Sequence, residues 1–564
     1  MRLFDADISY STFLFLKNGI NSWKSTRIAN DFLRQECGVM GFFANDAEIQ
    51  QLTEELYDTF VDEVCDNRVE YGDFQTNQTL ADQVTKKIQA NKTDPKIVIE
   101  PTCGKGNFIL AVLNTFENVE KIYGIEIQRK YIWQAKFNIL DYFLQNPKRI
   151  KPEIHIIHSN IFNFNYHPIK SIIGEKELLI VGNPPWVTNS TLSAMDSKNL
   201  PNKSNFKQHK GLDAMTGKGN FDIAEYITLD LLRNFGQFDG NMAFLVKNTV
   251  IKNILYVLPK LKLPIANLKK ENIDSKKEFD VSVDASLFSC QLNKETECSC
   301  QESDFYTSET KCTFGWKNGK FLSDFSGINI DIDGISPFEW RQGVKHDCSK
   351  VMELESDGDS FSNKLGEKFK IENDLVYPLL KSSDLKIKCA EATQKKIIIT
   401  QKYVGQNTSY IQKHPLTFEY LNNHIDHFRK RKSSIYKGKC DFSIFGIGDY
   451  SFKPYKIAIS GLYKTFHFCL VKPQDEKPVM LDDTCYYIGF DTLEHAEYVW
   501  NLLNTDIVAD FLKSISFKDS KRMITKDILM RIDLRKVAQL RGEQTSLFAE
   551  IDKRKETQLD LFSQ

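Results

Sequence analysis

Short apolar runs alternate with stretches of helical spacing between about Tyr71 and Leu292, and this alternation limits the fold more than any other feature. The apolar runs are residues 96–99, 122–127, 154–157, 178–181, 242–246 and 281–289. Strands that alternate with helices typically form an α/β domain with a mostly parallel sheet. Ligands bind such sheets at the carboxyl ends of the strands. We therefore expect the chemistry in the polar motifs that follow these runs.

The rest of the chain divides by composition and periodicity. Residues 1–70 are expected to form a helical packing layer, since apolar side chains recur there every four residues. These side chains are Leu52, Leu56, Phe60 and Val64. A long polar insert at 187–220 is of the kind that often serves function. The predicted parts are a helical segment 1–70, an α/β domain 71–292, a separate mixed α/β domain 293–540 and a polar tail 541–564.

Composition excludes several classes of protein. Hydrophobic residues make up 41% of the 564 residues and charged residues 26%, as in ordinary globular proteins. No apolar run approaches the roughly 20 residues that span a bilayer. The net charge of −1 excludes a generally basic nucleic-acid binder but leaves room for a local basic patch. The 12 cysteines are scattered, which favours reduced thiols. We expect a cytoplasmic protein with no membrane partner.

A glycine turn follows the first strand of the α/β domain. Residues 98–108 are typical of a strand, a tight turn and the start of a helix, and Gly104 and Gly106 let the backbone approach a ligand closely. Glu126 lies 22 residues after Gly104, at the end of the next strand, where an acid can bind both hydroxyls of a ribose. The turn alone fits a purely structural role, but together with this acid it favours a site for an adenosine-containing cofactor.

The run at 178–181 leads into Gly182 and then Asn183-Pro184-Pro185-Trp186. The two prolines fix φ and carry no N–H, so they hold the Asn183 side chain and the Pro184 carbonyl in a rigid geometry. Both oxygens can accept hydrogen bonds from an exocyclic amino group, and Trp186 offers a ring face to a planar base. The alternative is a rigid proline turn followed by an ordinary buried aromatic.

Together these motifs resemble the S-adenosylmethionine-dependent DNA amino-methyltransferases of the adenine-N6 type. Asn183 to Trp186 is similar to their catalytic tetrapeptide, residues 100–108 to their glycine motif, and Glu126 to their ribose acid. Phe74-Gln75-Thr76-Asn77 resembles their cofactor-carboxylate motif, although the family usually has Pro at the position of Asn77. The order of the motifs, followed by a large C-terminal domain, is similar to the gamma class, in which that domain recognises the target.

The resemblance implies a Rossmann-like methyltransferase domain, S-adenosyl-L-methionine as cofactor and double-stranded DNA as partner. The implied cofactor-binding residues are Phe74, Thr76, Glu100, Pro101, Cys103, Gly104, Gly106, Asn107, Phe108, Glu126, Asn160, Ile161 and Asn183. The implied catalytic residues are Asn183, Pro184, Pro185 and Trp186. Asn160 stands where the family commonly has an acid, and Lys247-Asn248 where it usually has a Pro after a later strand.

The mechanism implied is a direct transfer. An adenine rotates out of the duplex, because its amino group cannot be reached within the base stack. Trp186 stacks on the base, Asn183 and the Pro184 carbonyl bind the N6 hydrogens, and the amine attacks the methyl group in line. Neither a metal nor a covalent nucleophile is required.

A basic segment at 427–439 suggests where DNA is bound. It holds six Lys or Arg residues and no acid, and aromatic residues follow it. Such interleaving suits phosphate contacts, although a solvated charged face is the alternative. The predicted DNA-binding residues are Arg429, Lys430, Arg431, Lys432, Lys437 and Arg341. Residues 340–346 and 377–384 resemble stretches in the recognition domains of gamma enzymes.

Further partners and alternatives remain open at this level. Gln558-Leu559-Asp560-Leu561-Phe562 resembles the peptide by which bacterial proteins dock on the replication sliding clamp, and residues 544–548 nearly repeat it. A cognate restriction endonuclease is a further expected partner. No metal is expected, because the spacing of Cys290, Cys298, Cys300 and Cys312 does not fit common zinc modules. The alternatives are a methyltransferase acting on an amine or amide in RNA or protein, and a catalytically silent DNA-binding module.

Overall fold

The structure is a computed structural model that describes residues 1–57, 75–188, 221–327, 331–358, 360–390, 393–517, 522–543 and 547–548. The chain divides into two compact units, Met1–Phe321 and Leu322–Gln564. Within the described residues, none of the helices combines the length and the apolar character that a membrane span requires.

The first unit contains one large sheet and, apart from it, a pair of short strands near residue 1. Its strands are β1 (Arg2–Leu3), β2 (Ala6–Asp7), β3 (Ile97–Glu100), β4 (Lys121–Glu126), β5 (Glu153–His158), β6 (Leu178–Gly182), β7 (Gly240–Lys247), β8 (Ile265–Ile273), β9 (Ala285–Leu292), β10 (Ser299–Asp304), β11 (Thr310–Lys317) and β12 (Lys320–Leu322). Its helices are α1 (Tyr10–Gly19), α2 (Thr26–Cys37), α3 (Asp46–Tyr57), α4 (Gln78–Ala90), α5 (Asn107–Thr115), α6 (Arg129–Gln145), α7 (His167–Ile173), α8 (Ile223–Phe235), α9 (Asn248–Leu261) and α10 (Ser275–Phe279).

The strand order of this sheet is β12-β11-β10-β8-β9-β7-β6-β3-β4-β5. Five neighbouring strands, β5, β4, β3, β6 and β7, pair in parallel. Strand β9 runs antiparallel to both of its neighbours, β7 and β8. Every residue of β3 and β6 is buried, as expected for strands covered by helices on both faces. The expected α/β fold with a mostly parallel sheet is confirmed.

The sheet continues beyond the predicted end of the α/β domain at residue 292. Strand β10 pairs in parallel with β8, beginning with Cys300 opposite Leu268, and β11 then pairs antiparallel with β10. Because these pairings hold residues 293–321 in the first sheet, the boundary between the compact units lies after Phe321. Strand β8 was missed by the sequence reasoning, since polar residues interrupt its apolar positions.

The helical N-terminal segment covers the open edge of the sheet. Val39 forms a parallel bridge with Ile154 of the edge strand β5, and the Met40 N–H donates to the Ile154 carbonyl at 2.8 Å. Leu52 and Leu56 are buried as expected, while Phe60 and Val64 lie outside the described residues. An uncovered edge strand invites pairing with other chains. The segment therefore closes an edge of the sheet as well as packing on it.

The second unit is a mixed α/β structure, as expected. Its strands are β13 (Arg341–Gln342), β14 (Glu353–Asp357), β15 (Ser360–Asn363), β16 (Lys368–Phe369), β17 (Val376–Leu380), β18 (Cys389–Ala390), β19 (Lys395–Ile398), β20 (Tyr455–Ser460), β21 (Cys469–Val471), β22 (Met480–Leu481) and β23 (Cys485–Phe490). Its helices are α11 (Ser349–Met352), α12 (Pro415–Asn423), α13 (Ile425–Arg429), α14 (Leu493–Leu503), α15 (Asp506–Ile515), α16 (Lys526–Leu529) and α17 (Leu534–Leu540).

Two sheets, ordered β13-β23-β20-β21-β18 and β16-β15-β14-β19-β17-β22, form the frame of this unit. The end of the chain contributes to its core, because Leu547 and Phe548 are buried there. These two residues belong to the upstream copy of the clamp-like peptide and serve packing in this structure. The other copy, Gln558 to Phe562, lies outside the described residues.

We predict that Gly38→Ala lowers the free energy of unfolding by more than about 2 kcal/mol in a urea titration. Gly38 has a φ of +73°, and an added Cβ would lie 2.2 Å from the Pro152 carbonyl oxygen, next to the edge strand. Gly41→Ala is the matched control. Its φ is also positive, at +58°, but nothing lies within 4 Å of the added Cβ. Only backbone strain of about 1 kcal/mol is expected there, and equal losses for the two variants would contradict the prediction.

Candidate active site

The carboxyl ends of four parallel strands and the segment before α4 meet at one cleft. Twelve of the predicted site residues line it: Thr76, Glu100, Pro101, Cys103, Gly104, Asn107, Phe108, Glu126, Asn160, Ile161, Asn183 and Pro185. Gly106, Pro184 and Trp186 do not line it. Phe74 lies outside the described residues. Most residues of the glycine motif, together with Asn183 and Pro185 of the tetrapeptide, thus face a single space.

The two glycines of the turn have different tasks. Gly104 has a φ of +51°, and a Cβ there would lie 2.6 Å from Oε1 of Gln75, so the turn packs closely on the segment before α4. Gly106 has a φ of +80° and lies against Ala135 of α6, where a Cβ would come within 3.2 Å of the alanine Cβ. Gly104 therefore shapes the cleft, whereas Gly106 lets a helix approach the turn from behind.

Glu126 is held in place by the backbone around it. Its carboxylate accepts hydrogen bonds from the N–H groups of Gly104 at 2.8 Å, Ile127 at 2.9 Å and Gln128 at 2.8 Å. A carboxylate has about four acceptor positions, so these three contacts fix the orientation of the group and leave acceptor capacity unused. Glu126 therefore presents an oriented carboxyl group at the wall of the cleft.

Glu100 lies at the floor of the cleft and is fully buried. Burial, together with the nearby charge of Glu126, raises the pKa of its carboxyl well above the ordinary value. Its Oε2 atom has no hydrogen-bond partner among the described residues. Burial likewise raises the pKa of the neighbouring Cys103 thiol. The floor thus holds a buried acid whose carboxyl pKa is raised, and a thiol that stays protonated.

Asn183 follows β6 directly and is connected to two threonines. Its Nδ2 donates a hydrogen bond to Oγ1 of Thr76 at 3.2 Å. The Thr102 hydroxyl donates to its backbone carbonyl at 3.5 Å. With Pro184 and Pro185 fixing the backbone that follows, the amide is held against the same cleft as Glu100 and Gly104.

Trp186 is buried behind the cleft, with 5% of its surface exposed. Its indole N–H donates to the Leu245 carbonyl at 3.2 Å, and Phe279 of α10 meets the ring edge-on at a centroid distance of 4.9 Å. The sequence analysis did not single out Phe279. Its place beside Trp186 follows from strand β8, which the sequence did not predict, so no local signal marked it.

A buried ion pair supports the chain beyond the tetrapeptide. The Lys247 ammonium, at the end of β7, lies 2.7 Å from Oδ2 of Asp222, and these side chains are only 16% and 9% exposed. Burial raises the pKa of the Asp222 carboxyl, and the lysine opposes that rise. Asp222 also caps α8, whose first residue, Ile223, donates its N–H to the Val187 carbonyl at 2.8 Å. The pair therefore anchors α8 beside the segment that follows β6.

Several lining residues were absent from the predicted set: Gln75, Thr102, Ile125, Ile127, Gln128, Tyr131, Ser159, Phe162, Val187, Ile223 and Ile227. Most of them lie within a few residues of a motif, at a strand end or in the first turn of the next helix. Their position beside the motifs was the signal that could have found them. Among the described residues, no group of three or more His, Cys, Asp and Glu side chains is placed to hold a metal ion.

In the second unit, the stretches 340–346, 377–384 and 427–439, which the sequence analysis singled out, all contribute to one cleft. Its lining includes His346 from the first stretch, Lys381 from the second, and Lys430, Arg431 and Lys432 from the third, the basic segment. Lys430 and Lys432 are exposed, as is Lys437. Convergence of stretches that are far apart in sequence is the arrangement expected of a binding surface.

The arginines are more constrained than the lysines. The Arg431 guanidinium donates to the carbonyls of Ser443 at 2.7 Å and Asp441 at 2.6 Å, and lies 3.7 Å from the ring centre of Tyr436. Arg429 is exposed but pairs with Asp441 at 3.2 Å. Arg341 lies 4.7 Å from the ring centre of Tyr450 and pairs with Glu339. Arg431 thus holds the basic segment in place from within.

No family model matches the chain. A curated relative, the type II methyltransferase M.NspV of Nostoc sp. (strain ATCC 29411 / PCC 7524), is 40% identical over 481 residues, which cover 84% of this chain and 98% of the relative. The chain belongs to the type II methyltransferases of restriction–modification systems. Membership of this family implies S-adenosylmethionine as the methyl donor.

Solved structures agree with the fold. The type IIL restriction–modification enzyme MmeI, in a complex with DNA, matches at a TM-score of 0.52 with 13% identity, over 82% of this chain and 64% of that chain. A DrdV–DNA complex matches at a TM-score of 0.43 with 10% identity, over 78% of this chain and 51% of that chain. The chain thus spans less than two thirds of either enzyme, and the match to MmeI shows a shared fold.

We predict that Lys247→Met destabilises the protein by about 3–5 kcal/mol, because it leaves the Asp222 carboxylate buried without its partner. Adding Asp222→Asn to this variant should recover much of the loss, measured by urea unfolding.

The matched control for this prediction is Lys176→Met. Lys176 pairs with Glu120 at 2.7 Å, but the two side chains are 41% and 48% exposed. Loss of such a surface pair costs less than about 1 kcal/mol. Similar losses for Lys247→Met and Lys176→Met would contradict the role assigned to the buried pair.

Proposed function

We propose that this enzyme transfers a methyl group from S-adenosyl-L-methionine to N6 of an adenine in double-stranded DNA, and that it protects its target site from a cognate restriction endonuclease. The observation that carries the proposal is the shared cleft, in which the amide of Asn183 faces the same space as the Gly104 turn and the carboxylate of Glu126. In this proposal the first unit is the catalytic domain of a gamma-type enzyme and the second unit recognises the target.

The residues of the cleft fit the cofactor. Glu126, already oriented by three backbone N–H groups, is suited to accept hydrogen bonds from ribose hydroxyls. The Oε2 atom of Glu100, buried and without a partner among the described residues, suits a positively charged portion of a ligand. When bound, S-adenosylmethionine supplies an electrophilic methyl group on a positively charged sulfur. Thr76 and Asn107 border the cleft on the side of α4 and α5.

The amide of Asn183 and the carbonyl of Pro184 act on the amine in this mechanism. Their two oxygens accept the two N6 hydrogens of the adenine, which keeps electron density on the nitrogen that attacks. The prolines hold both acceptors before the substrate arrives, so little reorganisation is needed at the moment of reaction. This arrangement supplies orientation and electrostatic stabilisation from the chain's own groups.

Trp186 and Phe279 are proposed to receive the base. An adenine has to leave the helical stack before its amino group can reach Asn183. The hydrogen bond to Leu245 fixes the orientation of the Trp186 ring, and the edge of Phe279 lies against it. Because so little of Trp186 is exposed, the side chains around it have to move aside when a base is inserted.

DNA contact is assigned to the cleft of the second unit. The exposed Lys430 and Lys432 line it, and ammonium groups on flexible stems suit phosphate contacts. Arg429, Lys437 and Arg341 are proposed as further contacts. Arg431 is given the different task of holding the basic segment, because its guanidinium is used by carbonyl groups of the protein.

We predict that DNA from cells expressing the wild-type chain carries N6-methyladenine in one short sequence motif, read by single-molecule sequencing. Asn183→Ala should lower methyl transfer by at least about 10²-fold, because it removes an acceptor of the amine. Asn118→Ala, an exposed asparagine whose side chain binds Asp94, is the control and should leave the modification intact. Unmodified DNA, with wild-type protein that binds S-adenosylmethionine, would contradict the DNA proposal.

We predict that the double variant Lys430→Ala/Lys432→Ala weakens DNA binding and lowers the slope of log K against log salt by about 2, since each phosphate contact contributes about 0.9. Fluorescence anisotropy at several salt concentrations measures this slope. Lys402→Ala/Lys413→Ala, two exposed lysines of the same unit that do not line the cleft, is the control. An unchanged slope in the first variant would remove these lysines from the interface.

A further inference from the structure

We infer that Thr76 is a positioning residue for the catalytic amide, acting through the hydrogen bond that its hydroxyl accepts from Nδ2 of Asn183. The sequence motif assigned Thr76 to the cofactor alone. In the structure its Oγ1 lies 3.2 Å from that amide nitrogen. The inference rests on the proposed function of Asn183 as an acceptor for the target amine.

The segment that carries Thr76 is anchored to the glycine turn. The Asn107 side chain donates to the Thr76 carbonyl at 2.6 Å, and the Lys105 N–H donates to Oε1 of Gln75 at 3.2 Å. Thr76 itself is buried, with 6% of its surface exposed. Its hydroxyl therefore occupies a fixed position relative to the turn that borders the cofactor cleft.

The far side of the same segment is anchored as well. Asn77 accepts the Leu80 N–H at 2.8 Å, which caps α4, and donates to Oε2 of Glu278 at 2.9 Å. Glu278 precedes Phe279, the aromatic residue in contact with Trp186. The methyltransferases that this motif resembles usually have a proline at the position of Asn77, and a proline could not make the side-chain hydrogen bond to Glu278. Residues 75–77 thus connect the cofactor turn, the catalytic amide and the helix beside Trp186.

The chemistry of an amide explains why this connection matters. An Asn side chain presents a donor on one side and an acceptor on the other, and a half-turn about its terminal bond exchanges them. The N6 amino group of adenine offers hydrogens, so it requires the oxygen of Asn183. In the observed orientation the Thr76 hydroxyl accepts an N–H of the amide, and this hydrogen bond holds the amide where its oxygen can meet the target amine. A side chain at position 76 without an oxygen loses that hydrogen bond.

The test compares Thr76→Val, which keeps the shape and removes the hydroxyl, with Thr76→Ser, which keeps the hydroxyl. Single-turnover methylation gives the rate of transfer, and calorimetry with S-adenosylhomocysteine gives cofactor-site affinity in the absence of DNA. We expect Thr76→Val to lower the rate about 10- to 100-fold while the affinity stays within about twofold of wild type. Thr76→Ser should restore the rate.

Thr85→Val is the matched control, because Thr85 is a buried threonine of the adjacent α4 that bonds Thr115 and does not line the cleft. Any loss that Thr85→Val causes should fall equally on the rate of methyl transfer and on the affinity for S-adenosylhomocysteine, so the ratio of the two should stay unchanged. The inference is overturned if Thr76→Val keeps the wild-type rate, if rate and affinity fall together, or if Thr76→Ser fails to restore the rate. The product of the wild-type reaction identifies the methylated group separately. A product other than N6-methyladenine contradicts the proposed function, while the comparison at position 76 still applies to whichever amine Asn183 faces.

Discussion

The parallel pairing of β3 with β4 and β6 is the constraint on which the rest of the first unit depends. The register places Glu100 opposite Gly124, and Ile99 opposite both Tyr123 and Ile180. Three chain segments therefore leave the sheet side by side, at a spacing of about 5 Å set by the backbone hydrogen bonds. Glu100, Glu126 and Asn183 are far apart in sequence, yet they reach one cleft because the strands that carry them end at the same edge.

Burial at this edge creates a specific electrostatic problem. Glu100 and Glu126 both line the cleft, and the Glu126 carboxylate accepts hydrogen bonds from three backbone N–H groups. Glu100 is fully buried, and this burial, together with the nearby charge of Glu126, raises the pKa of its carboxyl. A protein retains such an arrangement at a cost to its stability, which a cationic ligand would offset. The same logic applies to Asp222, but there the compensating charge of Lys247 is built into the chain. The contrast separates a group prepared for a ligand from a group that holds the fold.

Local sequence information was sufficient for the parts of the site that are themselves local. The turn at Gly104, the acid at Glu126 and the amide at Asn183 were all predicted, because each lies at the end of a strand with a recognisable apolar pattern. The sequence could not show that Gly106 faces α6, that Arg431 is used by carbonyl groups, or that Phe279 meets Trp186, because each depends on residues distant in the chain. Strand β8 escaped prediction for the same reason: tertiary pairing outweighed local pattern.

The two units differ in how they fix their functional groups. In the first, the cleft is formed by strand ends whose positions follow from backbone pairing. In the second, the cleft joins separate stretches through side chains, including Glu353, whose carboxylate is shared by Lys381 at 2.6 Å and His346 at 3.5 Å. Hydrogen bonds from His346, Lys364 and Lys381 lower the pKa of Glu353 to about 2, although burial opposes the change. A surface held by such contacts can be altered residue by residue without disturbing a sheet. That difference fits the proposed division of the chain into a catalytic unit and a unit that recognises the target.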